Sequence, residues 1–334
     1  MAEDEIHHPH DKLFKAGFSD PVHAGAFLRS QLPEALNARI AWEALRLEPG
    51  SFVDSQFRES ESDLLFGAPL DARDSFLYLL FEHQHSPDPW IALRLLRYKV
   101  RIWEAWLRDH PEARKLPVIL PIVLAQNEGR WGISTRFRDL LDIPQGLEDL
   151  IAADSVDFRF RLIELSEMPF EKIAGTPEGI LILRVLKADA SGELLGGAVW
   201  DEELLARVSR DIFELVLRYL LSRDIDMRTF RRKVEEIQQT EVRKTTMSLA
   251  EQIRQEGVKQ GLSQGLRQGL SQGLSQGLSR GRQEDVIEAL EIRFGEIPEG
   301  LKAAISEIQD IDRLKGLLRE AIRCADIEGF TKAL

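Results

Sequence analysis

The sequence predicts an α/β protein that becomes wholly helical toward its C-terminus. Three observations carry this. Residues 62–84 read as two strands joined by a polar turn, and Leu116 to Gln126 is an apolar run of the kind that forms a strand buried on both faces. Helical periodicity sets in between Asp88 and His110 and dominates from Thr176 onward. At 334 residues the chain is long enough for about two domains, each able to bury a core.

The N-terminus, MAEDEIHHPHDK, is acidic and lacks an apolar stretch, so no signal peptide is expected. His7, His8, His10 and Asp11 have the composition of a metal cluster or a His-Asp hydrolase motif. No second His-Asp pair follows, and the expectation is a solvated terminus. Ser19-Asp20-Pro21 starts a helix that runs to about Leu28, with proline at the first helical position. Residues 42–58 read as a strand, a Pro49-Gly50 turn and a second short strand.

Then Asp63 to Phe66 forms a short apolar strand, DARDS a turn, and Ser75 to Phe81 a strand ending in Glu82-His83-Gln84-His85. Alternation along a strand sends Glu82 and Gln84 to one face and His83 and His85 to the other. Paired as a hairpin, the two strands bring Asp63 close to Glu82. Two carboxylates meeting at a sheet end repel each other unless a cation sits between them, and a hard divalent ion suits such oxygen donors. Asp54, Glu59 and Glu61 add carboxylates nearby, whose ordinary role is that of solvated turn charges.

Between Asp88 and His110 the expected apolar face holds Leu93, Leu96, Val100, Trp103 and Leu107. Arg94, Arg97, Arg101 and Arg108 gather on the neighbouring face, taking about 100° per residue. That stripe is either a path for phosphates or an exposed face on which Glu104 pairs with Arg101 and Arg108. Tyr98, Trp103 and Trp106 are expected in the core. Glu128 to Trp131 forms a turn, Arg159 to Leu165 a further strand, Thr176 to Leu186 a helix, and Asp201 to Leu221 another. Arg228, Arg231, Arg232 and Lys233 form a basic patch on a charged helical connector, offset by Glu235, Glu236 and Glu241.

From Gly257 to Gly281 glycine recurs every fourth residue, with Leu262, Leu266, Leu270, Leu274 and Leu278 each following one. Each glycine costs a helix roughly 0.8–1 kcal/mol against alanine, so a flexible or weakly helical spacer is expected. Self-association through the repeat is the second reading. Glu284 to Leu334 reads as a small helical module: one helix ended by Gly295, one begun at Pro298-Glu299, and one from Ile311 to Ile322, with Cys324 buried.

A net charge of −12 counts against a nucleic-acid partner, although a local basic stripe on an acidic protein can still bind phosphates. The single cysteine excludes an internal disulfide and any cysteine-based zinc site. The most apolar stretch, Leu116 to Ala125, is far shorter than the ~20 residues a spanning helix needs, so no membrane partner is expected and cytoplasm is the default location.

HDKLFK at 10–15, GSFVD at 50–54, SDLLF at 62–66, FEHQ at 81–84 and RLLRY at 94–98 together resemble the Rpn family of recombination-promoting nucleases, the YhgA-like transposase group. The resemblance covers the first two-thirds of the chain. It implies a PD-(D/E)XK (restriction-endonuclease-like) mixed sheet flanked by helices, with a helical C-terminal extension. It divides the chain into a nuclease-like domain at 1–225, the connector at 226–256, the Gly-Leu spacer at 257–282 and a small helical domain at 283–334. It further implies a Mg²⁺- (or Mn²⁺-) dependent DNA endonuclease linked to recombination and horizontal gene transfer. Asp63, Glu82 and the backbone carbonyl of His83 would bind the metal. Gln84 would stand where the superfamily motif has lysine, and Asp11 would orient water. Arg94, Arg97 and Arg101 would carry DNA. Glutamine supplies a hydrogen bond but no positive charge, so slow cleavage is expected. The alternative is a weak or inactive nuclease fold that binds DNA, regulates, or self-associates through the repeat or the C-terminal helices.

Overall fold

The computed structural model describes residues 9–48, 64–71, 75–127 and 129–334; of Ser75, Phe76 and Glu82 it describes the backbone. Asp54, Glu59, Glu61, Asp63 and the Pro49-Gly50 turn lie outside the described residues. The chain divides into two units, one through Glu251 and one from Gln252.

The first unit is an α/β assembly built on a mixed sheet flanked by helices, as its strand and helix patterns foretell. Among the described residues the sheet has five strands: β1 Arg46–Leu47, β2 Leu64–Leu70, β3 Ser75–Gln84, β4 Val118–Ala125 and β5 Arg161–Glu164, in the order β1-β2-β3-β4-β5. Pairing is antiparallel from β1 to β3 and parallel from β3 to β5. β2 and β3 both run longer than the apolar runs suggest. After β2, Asp71 adopts φ 59°, a left-handed conformation that aspartate tolerates better than most residues.

Among the described residues three α-helices precede the hairpin: α1 Pro9–Phe18, α2 Pro21–Gln31 and the single turn α3 Glu34–Asn37. Asp20 caps α2 by accepting from the Val22 N–H, with Pro21 in the first turn. One face of the sheet is covered by α1 and α2, where Phe14, Phe18 and Phe27 surround Phe81 at ring-centroid distances of 5.0, 5.8 and 6.0 Å. Helix α5, Pro177–Ala190, capped by Thr176, packs on α1 so closely that a Cβ on Gly17 would lie 2.0 Å from Ile182 Cδ1. The other face is covered by α4, Ile91–Asp109.

The core-facing stripe of α4 differs from the expected one. Val100 and Leu107 are exposed, whereas Ile91, Leu95, Tyr98, Ile102 and Ala105 are buried against Tyr78, Leu80, Ile119 and Val123. The helix is apolar on more than one side. Both stripes follow the same alternation of three and four residues, and it is the one bearing Ile91, Leu95, Tyr98, Ile102 and Ala105 that meets the sheet, with Leu93 and Leu96 partly buried beside it. Trp103 and Trp106 are partly buried at its flank. The helix expected from Asp201 to Leu221 is broken into α6, Glu202–Leu205, and α7, Arg210–Ser222. Asp201 caps the first by accepting from the Leu204 N–H. The connector holds α8, Met227–Glu236, capped by Asp226, before the chain turns into α9.

Residues 257–282 are helical throughout. They lie inside α9, which runs unbroken from Thr240 to Phe294 over 55 residues, so of the flexible and weakly helical alternatives the helical one is found. Seven glycines cost it about 6 kcal/mol relative to alanine, but the repeat only propagates a helix already formed by the glycine-poor segments on either side, and nucleation is the costly step. Gly295, at φ 80°, ends the helix where expected. In the second unit α10 Glu299–Glu307, α11 Ile311–Arg323 and α12 Ile327–Ala333 bury Val286, Leu290, Ile305, Leu314, Leu317 and Phe330, and Cys324 joins that core. Among the described residues no helix is long and apolar enough to cross a membrane.

Candidate active site

The parallel strands β3, β4 and β5 end together, with Gln84 opposite Ala125 and Ala125 opposite Glu164. The carboxyl edge of such strands is where α/β sheets commonly bind ligands. On the other side of β3 the described pairing ends with Leu64 opposite Phe81, one residue short of both Asp63 and Glu82 in sequence. Asp63 and the Glu82 side chain lie outside the described residues. Among the described residues no group of three or more His, Cys, Asp or Glu side chains is arranged to hold a metal. Two carboxylates and a main-chain carbonyl are hard oxygen donors, and that chemistry fits Mg²⁺ or Mn²⁺.

Gln84 is half-buried, and its Nε2 donates to the His83 carbonyl at 3.0 Å. The oxygen expected to ligate a metal therefore already receives one hydrogen bond from the residue in the lysine position. In the helix that follows, Arg94 is half-buried and donates to Asp88 at 3.0 Å, Arg97 is exposed and Arg101 half-buried.

The opposite face of the same strand end holds a buried polar chain that the sequence did not disclose. The His83 side chain is 0% exposed. Its Nδ1 lies 2.8 Å from the Asp11 carboxylate and its Nε2 2.8 Å from Gln126 Oε1, while its ring stacks on Phe14. Gln126 has only one possible orientation, because its Nε2 donates to the Leu186 carbonyl at 2.8 Å. Both His83 nitrogens thus face acceptor oxygens. The main-chain N–H of Gln126 donates to the Gln84 carbonyl, also at 2.8 Å, so this residue extends the β3–β4 ladder by one bond.

From Gln126 the chain continues to His10, 3.2 Å away at Nδ1. The Tyr219 hydroxyl sits 2.6 Å from the same nitrogen and donates to Asp189 at 2.7 Å, and Arg223 donates to the other oxygen of Asp189 at 2.9 Å. His85 stacks on His10 with ring centroids 4.3 Å apart. His10 is therefore not part of a solvated terminus. Burial, and then the neighbouring His85, lower its pKa to about 4, despite the opposing pull of Asp189. Burial and the hydrogen bond to Asp189 raise the Tyr219 hydroxyl well above its ordinary range. Asp11, expected to orient water, places one carboxylate oxygen 2.8 Å from His83 Nδ1. The signals for this network were slight: Gln126 closing an apolar strand on a polar residue, and a histidine at each of positions 10, 83 and 85.

Residues 8–197 match the family model described as "Putative transposase, YhgA-like". The chain is 28% identical over 264 residues to "Inactive recombination-promoting nuclease-like protein RpnE" of Escherichia coli strain K12, covering 77% of this chain and 85% of that one. It is 29% identical over 199 residues to "Recombination-promoting nuclease RpnA" of the same strain, covering 59% and 65%. With "Recombination-promoting nuclease RpnD" of Escherichia coli O157:H7 it shares 34% identity over 115 residues, covering 34% and 44%. No solved structure matches.

Proposed function

Because the chain belongs to the YhgA-like transposase family, whose curated relatives carry the name of recombination-promoting nucleases, we propose that it is a Mg²⁺- or Mn²⁺-dependent DNA endonuclease on a PD-(D/E)XK scaffold, acting in the cytoplasm. The observation that carries this reading is the strand register. Antiparallel β2 and parallel β4 flank β3, and Leu64 stands opposite Phe81, the residues adjoining Asp63 and Glu82 in sequence. Asp63, Glu82 and the His83 carbonyl would hold the ion. The chemistry it supplies when bound is Lewis acidity toward the scissile phosphate and a more acidic attacking water. Gln84 offers an amide that orients water or a phosphate oxygen without adding charge, which makes for slow cleavage. Arg97, with Arg94 and Arg101 beside it, would carry the DNA backbone past the strand end.

The test is relaxation of supercoiled plasmid by the full chain with Mg²⁺ and with EDTA, for wild type, Asp63→Ala and Glu82→Ala. The expected result is slow, EDTA-sensitive nicking that drops at least a hundredfold in either variant. Nicking that survives both substitutions would remove the site. A second reading has its own support: RpnE is named inactive, and the lysine position holds glutamine. DNA binding without cleavage in the same experiment would establish it.

Self-association through α9 belongs to the same proposal, since Leu262, Leu266, Leu270, Leu274 and Leu278 are all exposed. Sedimentation of the full chain should give a mass above the monomer's that falls when Leu266 and Leu270 are both changed to serine. An unchanged mass would rule that face out.

A further inference from the structure

We infer that His83 is a positioning residue for the hydrolytic centre, and that Asp11 and Gln126 act through it. This rests on the nuclease reading above. On one edge β3 pairs with β4 through Gln84 opposite Ala125, and the Gln126 N–H adds a further bond to the Gln84 carbonyl. The His83 imidazole supplies a second hold, from the face of the sheet opposite Gln84.

The built character of this hold is visible in its partners. A wholly buried imidazole is costly unless its polar atoms are paired, and an aliphatic residue on the Phe14 side would pack there without that demand. Here both nitrogens are met at 2.8 Å by side chains from two elements, Asp11 on α1 and Gln126 just beyond β4. Gln126 is itself fixed by the Leu186 carbonyl of α5 and by its own N–H on the Gln84 carbonyl. One ring thus ties the peptide units on either side of His83 to a helix on the sheet face, to the next strand and to a second helix. The residues whose geometry it governs, Glu82 and Gln84, are its immediate neighbours in sequence. A side chain held at both ring nitrogens and stacked on Phe14 cannot rotate without disturbing the backbone that carries those neighbours.

The test is Mn²⁺ binding by the full chain, followed by the EPR signal of free Mn²⁺, for wild type, Asp11→Asn and Gln126→Leu, with urea unfolding of each. Asp11→Asn nearly preserves shape and decides the matter if Gln126→Leu does not fold. The expected result is Mn²⁺ affinity weakened on the order of tenfold in folded protein, the scale of losses when groups that orient metal ligands are removed. A variant that is less stable but binds Mn²⁺ as tightly as wild type would show a purely structural role and overturn the inference. Asp63→Ala and Glu82→Ala separate the two claims. Wild-type binding in those variants, or no binding in wild type, would overturn the nuclease site together with the inference. Binding lost in them yet intact in Asp11→Asn and Gln126→Leu would overturn the positioning role alone.

Discussion

His10 shows what a single residue can take from its surroundings. Its ring is enclosed by Gln126, Tyr219, Asp189, Arg223, His83 and the stacked His85, and it stays neutral down to a pKa of about 4, against 6.5 in an unfolded chain. The unfolded state takes up a proton below pH 6.5 that the folded state refuses until about pH 4. The depressed value means that stability is intact above the unfolded pKa and is lost as pH falls through that window. The urea midpoint should drop between pH 6.5 and 4, and more steeply in wild type than in His10→Gln. Parallel pH curves for the two proteins would contradict the assignment. None of this could be read from the sequence, because His10 and Tyr219 are 209 residues apart and only the folded sheet and helices bring them together. The sequence shows a histidine-rich beginning. It does not show that the third of those histidines is inside.

At the scale of elements, local rules carried further. Apolar runs located β2 to β5, Asp20-Pro21 and Thr176-Pro177 located two helix starts, and Gly295 located a helix end, since each is a matter of a few neighbouring residues. Local rules failed where two outcomes have similar local cost. In α4 two apolar stripes compete, and the sheet selects the one bearing Tyr98 and Ile102. In α9 the glycine penalty leaves a flexible and a weakly helical segment both open, and the flanking helix decides for the helical one. Gly265 and Gly269 have open space where a Cβ would go, so Gly265→Ala and Gly269→Ala should each stabilise the helix by up to about 1 kcal/mol, read as a higher urea midpoint by circular dichroism. A lowered midpoint would mean that the glycines serve close contact with another surface. Gly17→Ala should do the reverse and destabilise the first unit, because its Cβ would collide with Ile182.

For the whole molecule, the net charge of −12 makes any grip on DNA a local affair. Arg97 is exposed on the helix that follows the strand end, so Arg97→Ala should weaken DNA binding across sequences and reduce the salt slope by about one. An unchanged slope would place the DNA elsewhere. Membership of the family was legible from five short motifs in the first hundred residues, and the mixed sheet follows the strand pattern those motifs punctuate. The proposed pairing of Asp63 with Glu82 rests, in the sequence, on the expected proximity of two strands. The most direct measurement is an anomalous difference map from crystals of the full chain grown with Mn²⁺. The expected result is one peak bridging Asp63 and Glu82, with oxygen ligands at about 2.0–2.3 Å. Carboxylates turned to opposite faces of the sheet, with no peak between them, would contradict the hydrolytic role.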